Sequence, residues 1–386
     1  MRELVNDKSL CCGCSSCYDA CPKSAISMVE DNEGFLYPAI VKDKCVDCGL
    51  CENICPTKNV KKNQSLLESY AVYNTDENIR MKSSSGGIFT LLAELVINDK
   101  GIVYGAAFDD NFEVEHIRVE TIDGLEKLRG SKYVQSKCDG IYKLCKQDLD
   151  DGTQVLFTGT PCQIAALKTF LKKDYVNLLC MDIVCHGVPS RMVWRKYLEH
   201  RVNCAKSKIK QIAFRLKNEG WKQYAIKFTF ADSIAYCTKF SDDIFMKGFL
   251  QDLYLRPSCY DCKFKSRERV SDITVADFWG INKLYPQWDD DKGMSLVIVH
   301  SKKGENALES ISKNIFMESI NLDDAINYNS AMIKSVALNK HRDLFFNSIG
   351  RQQNIESYIG NYVNKRYSLR KRISIWLRSK IREILK

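Results

Sequence analysis

The chain has 386 residues, 45% of them hydrophobic and 27% charged, with 20 Gly, 7 Pro and 18 Cys. This composition excludes a disordered or collagen-like protein, and the length leaves room for two or three domains with real cores. The formal net charge of +9 is uneven: residues 364–386 hold nine Lys/Arg against Glu383 alone, so the remainder is nearly neutral and a broad nucleic-acid-binding surface is excluded.

No stretch of about 18 uncharged apolar residues occurs, so no spanning helix is expected. The start, MRELVNDKSLCCGC, has no apolar h-region, so no secretory signal is expected. The expected location is therefore cytoplasmic. In a reducing compartment, thiols at this density are expected to bind metal or serve redox chemistry rather than pair as disulfides.

The first element is a pair of cysteine runs. Cys11, Cys14, Cys17 and Cys21 precede Pro22, and Cys45, Cys48, Cys51 and Cys55 precede Pro56, each with C-x2-C-x2-C-x3-C-P spacing. This is the two-cluster ferredoxin pattern. Three thiolates of a run converge on one 4Fe-4S cubane, and the fourth serves the other cluster. The expected ligand sets are Cys11, Cys14, Cys17 and Cys55 for one cluster, and Cys45, Cys48, Cys51 and Cys21 for the other. A four-cysteine zinc site would show two C-x2-C pairs instead. Cys12 breaks the spacing and reads as a bystander, with a local ligand swap left open. Between the runs, residues 25–29 and 34–40 read as short strands around the turn sequence DNEG. Residues 1–60 thus form a compact ferredoxin-type domain.

Residues 57–69 are polar and aperiodic, as in a linker or a surface excursion. A larger body follows, divided here at 69–205 and 206–345. SSSGG (83–87) precedes a helix whose apolar stripe is Ile88, Leu91, Leu92, Leu95 and Val96, with Ser83 to Ser85 as N-cap candidates. Strands are expected at 101–108, 153–160 and 176–185, and helices at 161–171, with Pro161 at its first position, and at 189–200. This strand–loop–helix alternation predicts an α/β layer with a largely parallel sheet. From Gln211 the period falls to two, which predicts antiparallel strands. The fold class is therefore α+β: a small two-cluster module, then an α/β-like body with an antiparallel part.

Cys162 follows one strand, Cys185 ends another, and Cys259-x2-Cys262 lies in a loop. Strand C-termini of a parallel sheet share one edge, so these four thiols could meet there and hold a third cluster. The pair spacing also fits zinc, and Cys162 and Cys185 could equally be small buried hydrophobes. SSSGG and FTGTP offer backbone donors at helix N-termini suited to a pyrophosphate, although ordinary helix caps are the favoured reading of these stretches taken alone. His186 beside Cys185 could donate a proton, with a plain turn histidine favoured; Asp272, Asp277 and Trp279 read as caps or core as readily as site residues. His116, His200, His300 and His341 form no metal spacing.

Taken together, SSSGGIFTLLAEL (83–95), GSKYVQS (130–136), VLFTGTPCQIAALK (155–168), CHGVPS (185–190) and RPSCYDCKF…SDITVADFWGI (256–281) resemble the coenzyme F420 hydrogenase/dehydrogenase beta-subunit family, in the form with an N-terminal two-cluster ferredoxin. The resemblance implies an FAD-containing iron–sulfur oxidoreductase. It implies FAD contacts near Ser85, Gly86, Gly87, Ser131, Lys132, Gly159 and Thr160, and it marks Cys162, Cys185, Cys259 and Cys262 as cluster ligands. Family members are similar to subunits that pass electrons between clusters, FAD and a deazaflavin. Related plant and cyanobacterial members reduce a chlorophyll derivative, and many bacterial members sit among polysaccharide-biosynthesis genes. The implied partners are an electron donor or acceptor protein, or a small-molecule substrate.

The C-terminal stretch 364–386 sets Leu369, Ile373, Trp376, Leu377, Ile381, Ile384 and Leu385 at near-helical spacing among basic residues. Such a basic amphipathic tail suits the anionic inner face of a membrane; a docked or solvated terminal helix is the alternative.

Overall fold

The structure is a computed structural model that describes residues 2–60, 68–350, 352 and 354–363; the basic tail therefore lies outside the described residues.

The N-terminal lobe is built on strands β1 (Arg2–Glu3), β2 (Ile26–Glu30) and β3 (Leu36–Ile40), in the order β1-β3-β2 and all antiparallel. The β2–β3 turn falls on the DNEG stretch. There the Asp31 carboxylate accepts the Glu33 and Phe35 amides, both at 3.0 Å, and Gly34 takes φ +83°, which glycine adopts without strain. Each cysteine run carries one short helix, Ser16–Ala20 and Leu50–Asn53.

The body holds an eight-stranded sheet. Its strands are β4 (Glu68–Asn74), β5 (Ile102–Phe108), β6 (Val114–Val119), β7 (Val155–Gly159), β8 (Leu178–Ile183), β12 (Ile273–Asp277), β13 (Ser295–Val299) and β14 (Ile315–Ser319). Spatial order is β14-β4-β13-β12-β8-β7-β5-β6. The pairings β5–β7, β7–β8 and β8–β12 are parallel, and the flanks are antiparallel. Strands β9 (Ile209–Leu216), β10 (Ala225–Phe230) and β11 (Ala235–Lys239) form a separate antiparallel sheet, where the period-two pattern expected it.

Alternate residues of the central strands face opposite layers. Val103 and Leu156 pack with the helix Ile88–Asn98 on one face, whereas Tyr104, Val155 and Phe157 pack with the helices Ile141–Asp150 and Pro161–Leu171 on the other. Both faces of the parallel centre are thus covered, which is why its strands read as continuous apolar runs.

Two local expectations need correction. The helix Ile88–Asn98 buries Ile88, Leu92, Ala93, Val96 and Ile97, while Leu95 is exposed; the apolar run is wide enough that the buried face turns by one residue. The three serines before it do not cap it. Gly87 is the N-cap at φ +87°, and the serine hydroxyls are engaged elsewhere.

The lobe is bolted to the body by polar contacts. The Asp19 carboxylate accepts the amides of Gly140 (2.6 Å), Tyr142 (2.9 Å) and Lys143 (3.3 Å), so a residue of the lobe caps the helix Ile141–Asp150 of the body. Ser15 Oγ donates to Asp139 at 2.6 Å, Gln135 Nε2 donates to the Cys12 carbonyl at 3.1 Å, and Arg342 forks onto the Glu33 carboxylate.

Candidate redox site

The structure brings thiols of the two runs close together at two places in the lobe. A small cavity of about 140 Å³ is lined by Cys45, Cys48 and Cys51 together with Cys21, the last thiol of the other run. In the other group, the Cys17 thiol has the thiols of Cys11, Cys55 and Cys51 around it, and Cys14 has Cys17 and Cys11 close by. Cys21 thus lies with three thiols of the other run, where the exchange of fourth ligands in a two-cluster ferredoxin requires it. The groups differ in setting. Cys14 is buried against the body, and Cys48 is exposed. Around the buried group, the Ser16 and Tyr37 hydroxyls are buried without a hydrogen-bond partner. Such orphan donors carry a penalty unless an acceptor fills the site, and the sulfur atoms of a cubane are acceptors of that kind, so the residues present fit the group.

The principal cavity of the body, about 380 Å³, lies at the C-terminal edge of β7 and β8, the edge at which parallel sheets bind ligands. One wall is Ser83, Ser84, Ser85 and Gly87. A second is Ser131 to Ser136. A third is the turn Thr158 to Gln163. The fourth combines Cys185 to Val188 with Ser258, Cys259, Asp261 and Cys262. The ferredoxin-type lobe closes the cavity with Ser9, Leu10, Cys12, Gly13, Cys14 and Thr57.

Of the seven residues implied as flavin contacts, Ser85, Gly87, Ser131, Lys132, Gly159 and Thr160 line this cavity. Gly86 does not; it lies behind the loop, where its amide donates to Ser295 Oγ at 2.9 Å and its carbonyl accepts the Asn74 amide at 2.7 Å. Ser131 donates from its amide (2.7 Å) and its hydroxyl (2.8 Å) to Ser84 Oγ, tying two walls together. Lys217, reaching in from β9's end, donates to the carbonyls of Arg80, Ser85 and Lys292 at 2.6–2.8 Å and pins the serine loop from beneath. The helix Ile88–Asn98 that leaves the loop has no side-chain cap, so its N-terminal donors remain for an anion. The FTGTP turn is different: Thr160 and Gln163 form a capping box on the helix Pro161–Leu171, so the ordinary-cap reading applies to this turn. The volume suits a cofactor or drug-sized ligand, for which pockets run to roughly 300–1,000 Å³.

Cys162, Cys185, Cys259 and Cys262 share the cavity wall. The Cys259 thiol has those of Cys185, Cys262 and Cys162 around it, and Cys185 has Cys162 and Cys262. Cys138, Cys145 and Cys180, by contrast, are packed into the apolar core like small hydrophobes. Burial pushes the Cys185 thiol up to about 12, partly opposed by the Lys265 charge; such thiols ionise only when a cation compensates them. Among the described residues no three His, Cys, Asp or Glu side chains converge closely enough for a single metal ion. A four-iron cubane spreads its thiolates over a wider span than one ion does, so that spacing leaves the cubane reading as it stands.

Cys12, read as a bystander, lies in this wall within hydrogen-bonding reach of both Cys14 and Cys162, bridging the two thiol groups. His186 lines the cavity and is held by Asp252 at 2.7 Å. Asp277 also lines it and is engaged by Arg215 through two 2.9 Å bonds and by Trp221 Nε1 at 2.9 Å. Asp272 is a brace that accepts the Cys180 amide and the Ser301 hydroxyl, and Trp279 stacks on Trp221 at 4.9 Å. Lys217, which pins the serine loop, carries no sequence signal, because nothing in a lone basic residue reveals that it is buried.

Residues 152–325 match the family model for the C terminus of the coenzyme F420 hydrogenase/dehydrogenase beta subunit, and residues 10–59 match that of a 4Fe-4S dicluster domain. The F subunit of the F420H2 dehydrogenase of Methanosarcina mazei is 24% identical over 201 residues, which cover 48% of this chain and 57% of that protein. The chain thus spans little more than half of that relative. An uncharacterized ferredoxin of Methanocaldococcus jannaschii is 34% identical over 80 residues, 21% of this chain and 96% of the ferredoxin. A chain in a solved structure of the F420-reducing NiFe hydrogenase complex of Methanosarcina barkeri is 17% identical with a TM-score of 0.46, over 70% of this chain and 90% of that one. The chain matches the coenzyme F420 hydrogenase/dehydrogenase beta-subunit family over its body and carries an N-terminal 4Fe-4S dicluster domain, which makes it an iron–sulfur electron-transfer protein related to that family.

Proposed function

We propose that this chain is an iron–sulfur flavoprotein oxidoreductase, with two 4Fe-4S clusters in residues 1–60, FAD in the principal cavity, and a third cluster on Cys162, Cys185, Cys259 and Cys262. The observation that carries this reading is the sharing of one cavity by six implied flavin contacts, four candidate cluster thiols, and Cys12 and Cys14 of the lobe. A bound flavin supplies the conversion between single electrons from clusters and hydride exchange with an organic substrate.

The residues present would serve that chemistry as follows. The Ser84–Ser131 pair and the uncapped N-terminus of the helix Ile88–Asn98 receive a diphosphate. Lys132 reaches into the cavity wall, its ammonium held by the carbonyls of Leu128, Arg129 and Gly130 at 3.2 Å. Burial lowers it to about 7, so near neutrality it can hold or release a proton at Nζ. The lobe, packed over the opening by Leu10, Cys12 and Cys14, keeps bulk water from that side.

The second reading, an electron-transfer subunit that serves a partner enzyme, is supported by the M. mazei relative, which is itself a subunit of a dehydrogenase. A polysaccharide-biosynthesis substrate and a cytoplasmic site with peripheral membrane contact through residues 364–386 complete the proposal. Removal of 364–386 is expected to abolish pelleting with anionic liposomes, and unchanged pelleting would refute the membrane contact. The flavin is tested by anaerobic purification and extraction. About one FAD per chain is expected, and protein that binds no flavin when FAD is supplied would overturn the reading.

A further inference from the structure

Arg256 is fully buried, at 0% exposure, immediately before the turn Pro257–Cys259. Its Nε donates to the Cys11 carbonyl at 2.7 Å, Nη1 donates to Gln135 Oε1 at 3.1 Å, and Nη2 to the Leu36 carbonyl at 3.0 Å and to Cys11 Sγ at 3.5 Å. The guanidinium lies 4.3 Å from the Tyr37 ring centroid. No carboxylate pairs with it among the described residues; the ionisable groups around it are the thiols of Cys11, Cys12 and Cys259 and the Tyr37 phenol. Gly13 makes room for it, since a Cβ there would stand 2.6 Å from Nη1.

A buried guanidinium without an anion is strongly disfavoured. Backbone carbonyls satisfy its donors and leave its charge uncompensated. The anion at hand is the thiolate set to which Cys11 belongs. The other set is placed differently: Cys45 Sγ lies 3.7 Å from Asp47 Oδ1, Glu52 bears on Cys51, and Cys48 is exposed.

We infer that Arg256 is the counter-ion of the inner cluster, held by Cys11, Cys14, Cys17 and Cys55, and raises its reduction potential above that of the outer cluster, held by Cys21, Cys45, Cys48 and Cys51. This rests on the cluster assignment proposed above. Charge and hydrogen bonds at the sulfurs set cluster potentials. A cation at hydrogen-bond distance in a low-dielectric interior stabilises the added electron, whereas at the outer set the Asp47 carboxylate beside Cys45 disfavours it. Burial by itself opposes reduction of the inner cluster, and the adjacent charge outweighs that. Arg256 is thus a positioning residue that makes one-electron transfer downhill from the exposed end of the lobe to the cavity: the outer cluster is oxidised, the inner cluster is reduced, and no proton moves.

The test is an EPR-monitored redox titration of the reconstituted full chain. The wild-type protein should reduce its two lobe clusters in separate steps. Arg256→Gln should lower the upper step by at least tenfold in the reduction equilibrium, about 59 mV for one electron, and leave the lower step in place; Arg256→Lys should restore part of the shift. Asp47→Asn should raise only the lower step. Should Arg256→Gln fail to fold, Tyr37→Phe, which removes an orphan hydroxyl beside Cys11 and keeps the ring, should lower the upper step by a smaller amount. Steps that stay put, or that move together, overturn the inference. Fewer than two reducible lobe clusters in wild-type protein with full iron loading would instead remove the assignment beneath it.

Discussion

Gly86→Ala is the substitution whose consequence can be worked most fully from the structure. The glycine lies over the Val72–Ser295 pair of β4 and β13. A Cβ at this position would stand 2.4 Å from the Val72 carbonyl oxygen, 2.8 Å from Ser295 Oγ and 3.0 Å from the Ser295 amide nitrogen. The closest contact is about 1 Å inside ordinary van der Waals distance, and its partner is a strand carbonyl that cannot retreat without opening the sheet. The serine loop must lift instead. Overpacking of this kind costs about 1–3 kcal/mol, offset by about 0.5 kcal/mol from the stiffer unfolded chain. Lifting also strains the Gly86–Ser295 and Ser85–Met294 hydrogen bonds, each contributing about 1 kcal/mol. The urea midpoint should therefore fall by an amount equivalent to about 1–4 kcal/mol, and the flavin dissociation constant should rise about tenfold. Gly350→Ala is the control, because nothing lies within 4 Å of its added Cβ and its φ is −59°. Wild-type stability and wild-type flavin affinity in Gly86→Ala would refute both the packing argument and the role of the loop.

Further predictions address separate parts of the site. Cys262→Ser should lower iron content by about four per chain in anaerobically reconstituted protein, one cubane's worth, while the two lobe clusters persist; unchanged iron would exclude the third cluster. Burial lowers His116 to about 4, so it stays neutral in the fold while the unfolded chain takes up a proton below about 6.5. Stability is then lost as pH falls from about 6.5 towards 4, by about 3 kcal/mol in all. His116→Gln should flatten that part of a urea-midpoint-against-pH curve, and an unchanged slope would contradict the assignment. Asp19→Ala should cost about 2 kcal/mol by uncapping the helix Ile141–Asp150, with faster hydrogen exchange at the Gly140, Tyr142 and Lys143 amides; if those amides stay protected, the lobe is not held by this cap.

What the sequence discloses follows from patterns with a local cause. The cysteine spacing is fixed by the geometry of a cubane, so the 4Fe-4S dicluster domain over residues 10–59 is legible from the spacing alone. Period-two runs marked β9 and β10, and Pro161 marked the first residue of its helix to the position. The gathering of Cys162, Cys185, Cys259 and Cys262 was inferred from the rule that parallel strands share a C-terminal edge. What stayed hidden depends on contacts between distant segments. Strands β12 and β13 return to the large sheet after the antiparallel insertion, and no local periodicity encodes that return. The Ser83 to Ser85 caps failed because Ser131 and Met294, far along the chain, compete for the hydroxyls of Ser84 and Ser85. Cys12 looked superfluous at the level of spacing and sits between two thiol groups in the fold. Arg256 is a counter-ion only because residues 11 and 36 fold against it.

The central claim is a continuous electron path from the exposed end of the lobe to a flavin in the body. Stopped-flow mixing of flavin-loaded, iron-replete protein with a reduced protein-sized one-electron donor tests it. Cluster absorbance should bleach before flavin absorbance in the wild type, and Cys48→Ala, at the exposed thiol of the outer set, should slow flavin bleaching at least tenfold. Flavin reduced at the same rate in both proteins would mean that electrons reach it without crossing the lobe.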